Sequence, residues 1–116
     1  MSIIRAMSHP KRNWALVLGA SSGFGEAASI ALAKAGRNVF GVHLDRRATL
    51  PNVERIVGEI EDAGGRASFF NVNAADAQKR ADVIAAMKET ITADAEAPSV
   101  DVVLHSLAFG TLKPFL

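Results

Sequence analysis

The chain has 116 residues, of which 49% are hydrophobic and 22% charged, and a formal net charge of +1. That is a length for one domain, and so even a charge balance offers no basic footprint for nucleic acid or an anionic membrane. The absence of cysteine excludes disulfides, thiolate catalysis and cysteine-based zinc sites.

Residues 1–12, "MSIIRAMSHPKR", read as a polar lead-in, partly mobile. They lack the long apolar stretch and small-residue cleavage site of a signal peptide. No apolar run in the sequence is long enough to span a bilayer as a helix, and a cytoplasmic location is expected. "NWALVLGA" (Asn13 to Ala20) is a short apolar run ending in glycine, the pattern of a strand buried on both faces. "SGFGEAASIALAKAG" follows, with Ala27, Ile30, Ala31 and Ala35 at helical spacing and Gly36 as its stop.

"NVFGVHLD" (Asn38 to Asp45) predicts a second strand, and "DRRATLP" a charged turn. Pro51 and Asn52 open a second helix whose Val53, Ile56, Val57 and Ile60 recur at intervals of three and four. Gly64 and Gly65 end it, and "RASFFNVN" predicts the third strand. A long helix follows, with Asp76 as its cap and Ala81, Ile84, Met87 and Ile91 on its apolar stripe. After Pro98, "SVDVVLHSLAFG" predicts a fourth strand running into a glycine loop.

The order β-α-β-α-β-α-β implies an α/β, doubly wound parallel sheet with helical crossovers. Ligands of such sheets bind at the carboxyl ends of the strands, by the topological switch point. The loop "LGASSGFGE" sits there, with Gly19, Gly23 and Gly25 spaced G-x-x-x-G-x-G. Gly19 permits a tight turn, Gly23 lets backbone approach a phosphate, and Gly25 lets the helix pack closely. Ser21 and Ser22 add hydroxyl donors to an anion site at a helix N-terminus. A Walker loop would need Lys and Ser or Thr at its end, where this chain has Glu26 and Ala27. The spacing also differs from the G-x-G-x-x-G dinucleotide fingerprint.

"LGASSGFGEAASIALAKAG" resembles the start of a short-chain dehydrogenase/reductase, whose motif is T-G-x-x-x-G-x-G, with Leu18 where that family usually has threonine. The resemblance covers Asn13 to Pro114 and implies a Rossmann-like NAD(P)-binding domain over 13–116, the N-terminal portion of a longer oxidoreductase. It implies that Gly19, Ser21, Ser22, Gly23, Phe24 and Gly25 hold the cofactor pyrophosphate. The position that meets the adenosine ribose falls on His43 or Leu44, with Asp45, Arg46 and Arg47 directly after. An acid there suits NAD and an arginine the 2′-phosphate of NADP; the planar guanidinium fork tips the expectation from NAD towards NADP. Asn71 and Val72 stand where the family brackets the adenine, and Ser106, Leu107 and Ala108 on the nicotinamide side. His105 reads as a strand histidine facing a helix layer.

The fourth strand departs from the family's N-N-A-G. Its "HSLAFG" is similar to the enoyl-acyl-carrier-protein reductases, which reduce a carbon–carbon double bond. The family's proton chemistry uses a tyrosine followed by a lysine, and this chain contains no tyrosine. No residue is therefore nominated as catalytic, and no metal ligand is expected. Three readings stay open: hydride transfer in a longer enzyme acting on a carbonyl, alcohol or enoyl thioester; a non-catalytic dinucleotide-binding module; and an S-adenosylmethionine methyltransferase, which the loop spacing and serines disfavour. The expected partners are a small-molecule substrate, further copies of the chain in a homo-oligomer, and a missing C-terminal half, with neither nucleic acid nor membrane.

Overall fold

Four short apolar segments build one parallel sheet: β1 (Trp14–Leu18), β2 (Asn38–His43), β3 (Ala67–Asn71) and β4 (Val100–His105). They lie in the order β3-β2-β1-β4. The computed structural model describes residues 12–106 with the exception of Ser22. Helices α1 (Gly23–Lys34), α2 (Leu50–Asp62) and α3 (Ala77–Thr92) form the crossovers, with a short 3-10 turn at Arg47–Thr49. The first two crossovers carry the chain outward to β3. The third returns it past β1 to β4, so the winding reverses between β1 and β4.

Period-two alternation along the strands sorts the core into two layers. Val17 and Val39 meet Ala33 of α1 and Ile56 and Ile60 of α2 on one face. Trp14, Phe40 and Val42 meet Val83 and Met87 of α3 on the other. Trp14 and Phe40 stack with ring centroids 3.8 Å apart and planes 15° from parallel, a close contact between two fully buried rings.

Local signals set the helix ends. Gly36 adopts φ +101° after α1, where an L side chain would be strained, and its neighbour Arg37 returns its N–H to the Leu32 carbonyl. Asp76 caps α3 by accepting from the Lys79 N–H at 3.1 Å. Arg12 reaches the ends of two helices. Its guanidinium donates to the carbonyls of Arg37 at 2.7 Å and Ala63 at 3.2 Å, and reaches that of Ala33 at 3.4 Å. One cation thus serves the carboxyl ends of both α1 and α2, where the helix dipoles are negative.

The predicted order of elements matches the structure, and the differences lie at edges and faces. The strands are shorter than the apolar runs: β2 stops at His43 and β3 at Asn71. The apolar stripe of α3 also differs from the expected one. Val83 and Met87 are buried, whereas Ile84 is 53% exposed and Ala81 faces solvent. In an alanine-rich helix two overlapping stripes share Met87 and Ile91, and contact with Trp14 and Phe40 selects the one through Val83.

Candidate cofactor-binding site

Because the strands are parallel, Leu18, His43, Asn71 and His105 end on one edge of the sheet. The loop after β1 stays paired with β2 for two more residues: the N–H groups of Gly19 and Ala20 both donate to the Val42 carbonyl, at 2.8 and 3.0 Å. It then turns with Gly19 at φ +86° and enters α1 at Gly23, φ +53°. The unpaired N–H groups and positive dipole end of α1 therefore face the strand edge.

Gly25 locks this geometry. A Cβ there would lie 1.8 Å from the Gly19 carbonyl oxygen and 2.7 Å from its carbon. The first turn of the helix thus rests on the loop's own backbone. At Gly23 an added Cβ would meet nothing within 4 Å, so the backbone there is open to an incoming group. A helix N-terminus with its backbone open at Gly23 fits a phosphate. Phe24 is 68% exposed beside it.

The middle of the loop is tied to β2. Ser21 is buried, and its hydroxyl donates to Asp45 Oδ1 at 2.5 Å. The buried His43 ring places Nδ1 3.0 Å from the same oxygen. Burial pushes the Asp45 carboxyl up, but hydrogen bonds from Ser21, Thr49 and His43 outweigh it and hold the group below its usual range. Asn71 clasps the Asp45 backbone from both sides. Its Oδ1 accepts the Asp45 N–H at 2.9 Å, and its Nδ2 donates to the Asp45 carbonyl at 3.1 Å.

A second tie runs to α2, where Asn52 Nδ2 donates to the Ser21 carbonyl at 3.1 Å. Arg55 bridges Glu26 of α1 and Glu59 of its own helix. Hydrogen bonds from Arg55 and Asn52 hold the Glu26 carboxyl below its ordinary range against the opposing effect of burial.

The candidate adenosine side is mixed. Leu44 is 68% exposed, and Arg46 and Arg47 face solvent on the turn after Asp45. Neither arginine forms an ion pair among the described residues. Beyond them a cavity of about 380 Å³ opens between the sheet and α3. Leu18, Val42, Val72, Ala74 and Ile84 make its walls apolar, and Arg80 and His105 border it. Val72 is fixed there by its N–H to the His43 carbonyl at 2.8 Å. The His105 ring, expected to face a helix layer, borders this cavity on the α3 side and is exposed. Ser106 extends the β4–β1 pairing, its N–H donating to the Leu18 carbonyl at 2.7 Å.

The structure thus gathers Gly19, Ser21, Gly23, Phe24, Gly25, His43, Asp45, Asn71 and Val72 around one edge, with Leu44 and Arg46 on its outer rim. The expected residues Ser22, Leu107 and Ala108 lie outside the described residues. Two side chains are engaged differently from expectation. The Ser21 hydroxyl is given to Asp45 and not aimed at an anion, and the Asn71 amide holds the Asp45 backbone and not a free base edge. Asn52, a polar residue after proline, reads in the sequence as an ordinary helix start; nothing local signals a contact 31 residues away. No described helix is long and apolar enough to cross a membrane.

The family model described as short chain dehydrogenase matches residues 13–115. No curated protein matches the chain. Among solved structures, a Sinorhizobium meliloti 1021 protein assigned to the short-chain dehydrogenases/reductases superposes with a TM-score of 0.73 at 20% identity, over 91% of this chain and 44% of its own. A 3-oxoacyl-[acyl-carrier protein] reductase from Brucella melitensis gives 0.69 at 20% identity, over 88% and 37%. The NADH-dependent reductase A1-R′, solved with NAD, gives 0.62 at 24% identity, over 80% and 35%. The chain therefore spans less than half the length of each of these structures.

Proposed function

This chain belongs to the short-chain dehydrogenase family, and from that premise we propose that it is the dinucleotide-binding portion of an NAD(P)-dependent oxidoreductase. The observation that carries the proposal is the seat of Gly25 on the Gly19 carbonyl, which holds the N-terminus of α1 open at Gly23 over the strand edge. A nicotinamide cofactor, when bound, supplies the hydride. The chain's own part is to hold and orient it. Backbone N–H groups of the loop and of the first turn of α1 bind the pyrophosphate. The apolar cavity beside Val72 and Ala74 accepts a flat base. The backbone at Ser106 borders the nicotinamide half.

The cofactor proposed is NADPH in preference to NADH. The support is the pair of exposed arginines, Arg46 and Arg47, without carboxylate partners among the described residues. A guanidinium matches the fork of a phosphate, whereas the only acid in that turn, Asp45, already accepts hydrogen bonds from within the chain. With no tyrosine in its sequence, the chain is assigned no proton-donating residue. The substrate proposed for the whole enzyme is a carbonyl, an alcohol or an enoyl thioester, in a homo-oligomer of the cytoplasm. The enoyl thioester is favoured by one feature, the His105-Ser106 end of β4 in place of the family's asparagines.

Titration with NADPH, NADH and S-adenosylmethionine tests the reading. NADPH is expected to bind most tightly. Arg46→Glu is expected to weaken NADPH roughly tenfold or more relative to NADH, as loss of one charged hydrogen bond implies. Preferential binding of S-adenosylmethionine would overturn the oxidoreductase reading.

A further inference from the structure

We propose that Asp45 is a positioning residue: it fastens the middle of the glycine loop to the end of β2 and is not a ligand of the cofactor's adenosine ribose. The proposal rests on the dinucleotide-binding reading above and assigns the division of labour within that site. Its ground is the use already made of one oxygen. Asp45 Oδ1 accepts the Ser21 hydroxyl at 2.5 Å and lies 3.0 Å from His43 Nδ1. Two donors fill the lone pairs of a carboxylate oxygen. A carboxylate that grips the two hydroxyls of a ribose in the bidentate way, one oxygen to each, needs both oxygens turned outward. Here one is committed inward, with the Asp45 side chain 11% exposed and that of His43 3%.

The surrounding backbone opposes any swing. Asn71 holds both the N–H and the carbonyl of Asp45, so the carboxylate is presented to Ser21 from a braced segment. Ser21 is braced in turn, since its carbonyl accepts from Asn52. The glycine loop carries residues at φ +86° and φ +53° and would otherwise be the least restrained backbone at this edge. Fixing it at Ser21 from both β2 and α2 sets the separation of the N–H groups before a phosphate arrives, which lowers the ordering cost of binding. Ser21 thereby serves the phosphate through loop shape, its single hydroxyl proton being spent on Asp45.

The test compares Asp45→Asn, Asp45→Ala and Ser21→Ala with the unaltered chain. It reads amide hydrogen exchange of residues 19–25 without cofactor, and dissociation constants for NADH and NADPH. Asparagine keeps an acceptor oxygen for Ser21, so Asp45→Asn is expected to exchange as the parent does and to bind both cofactors within about twofold of it. Asp45→Ala and Ser21→Ala are expected to speed loop exchange roughly tenfold and to weaken NADH and NADPH by a common factor, as loss of one charge-assisted hydrogen bond implies. A loss confined to NADH in Asp45→Asn would make Asp45 a ribose ligand and overturn the proposal. So would unchanged loop exchange in Asp45→Ala. Failure of the unaltered chain to bind either cofactor would overturn the dinucleotide reading itself, while the exchange measurement would still decide the fastening.

Discussion

Gly25→Ala is the sharpest perturbation of the loop. The added carbon would stand 1.8 Å from the Gly19 carbonyl oxygen, 2.7 Å from its carbon and 3.3 Å from Ala20 Cα. Carbon and oxygen do not approach closer than about 3.3 Å without repulsion, so α1 and the loop must part by roughly 1.5 Å. All three neighbours are backbone, and no rotamer change relieves the clash. Overfilling a packed site costs about 1–3 kcal/mol and sometimes more, which puts this one near 3 kcal/mol. Alanine returns about 1 kcal/mol through helix propensity, leaving a net loss of roughly 2 kcal/mol. For a domain of this size that is a fall of about 8–16 °C in melting temperature. Thermal unfolding followed by circular dichroism reads it, with NADPH binding as a second readout expected to be lost. Gly23→Ala is the control, since it meets no neighbour and carries only left-handed strain of roughly 1–2 kcal/mol. A Gly25→Ala protein that melts within about 4 °C of the parent would refute the argument that the helix is seated on Gly19.

Arg12→Met removes the cation shared by the carboxyl ends of α1 and α2 and is expected to cost about 2 kcal/mol; an unmoved urea midpoint would count against that role. Phe40→Ala opens a hole under Trp14 at a side chain with no exposure and is expected to cost about 3–5 kcal/mol, visible as loss of the cooperative thermal transition. The acid limb follows from sign. Asp45, Glu26 and Asp101, the last held down by a hydrogen bond from Arg37, all sit below their ordinary values, so the stability they contribute is complete above the unfolded carboxyl range and lost as pH falls through the folded values. Melting temperature is therefore expected to drop below about pH 4, and a melt unchanged down to pH 3 would contradict the assignment.

The elements that could be read along the chain were those with local causes. The glycine spacing, the stop at Gly36 and the cap at Asp76 each act within a few residues, and the structure places all three as expected. The harder matters were those decided across the fold. Whether Val83 or Ile84 faces the sheet depends on where Trp14 and Phe40 stand, and no stretch of an alanine-rich helix encodes that. Asp45 reads locally as an acid just past the ribose position. Only the approach of Ser21, 24 residues earlier, shows where its oxygen goes. Arg12, directly after Lys11 and before a strand, reads as part of a polar lead-in, and its targets lie 25 and 51 residues away.

The position of β1 has a consequence for how the polypeptide acquires this sheet. β1 pairs on one side with β2, which follows after a single helix, and on the other with β4. The Asn13 side chain meets the Ser99 backbone across a separation of 86 residues. At synthesis rates of 5–20 residues per second, β1 waits roughly 4–17 s for that second neighbour. The β1-α1-β2-α2-β3 segment can assemble meanwhile, but it does so with the centre of the final sheet serving as an open edge. The nascent chain is thus exposed to mispairing along "WALVL", a strand that ends up paired on both sides.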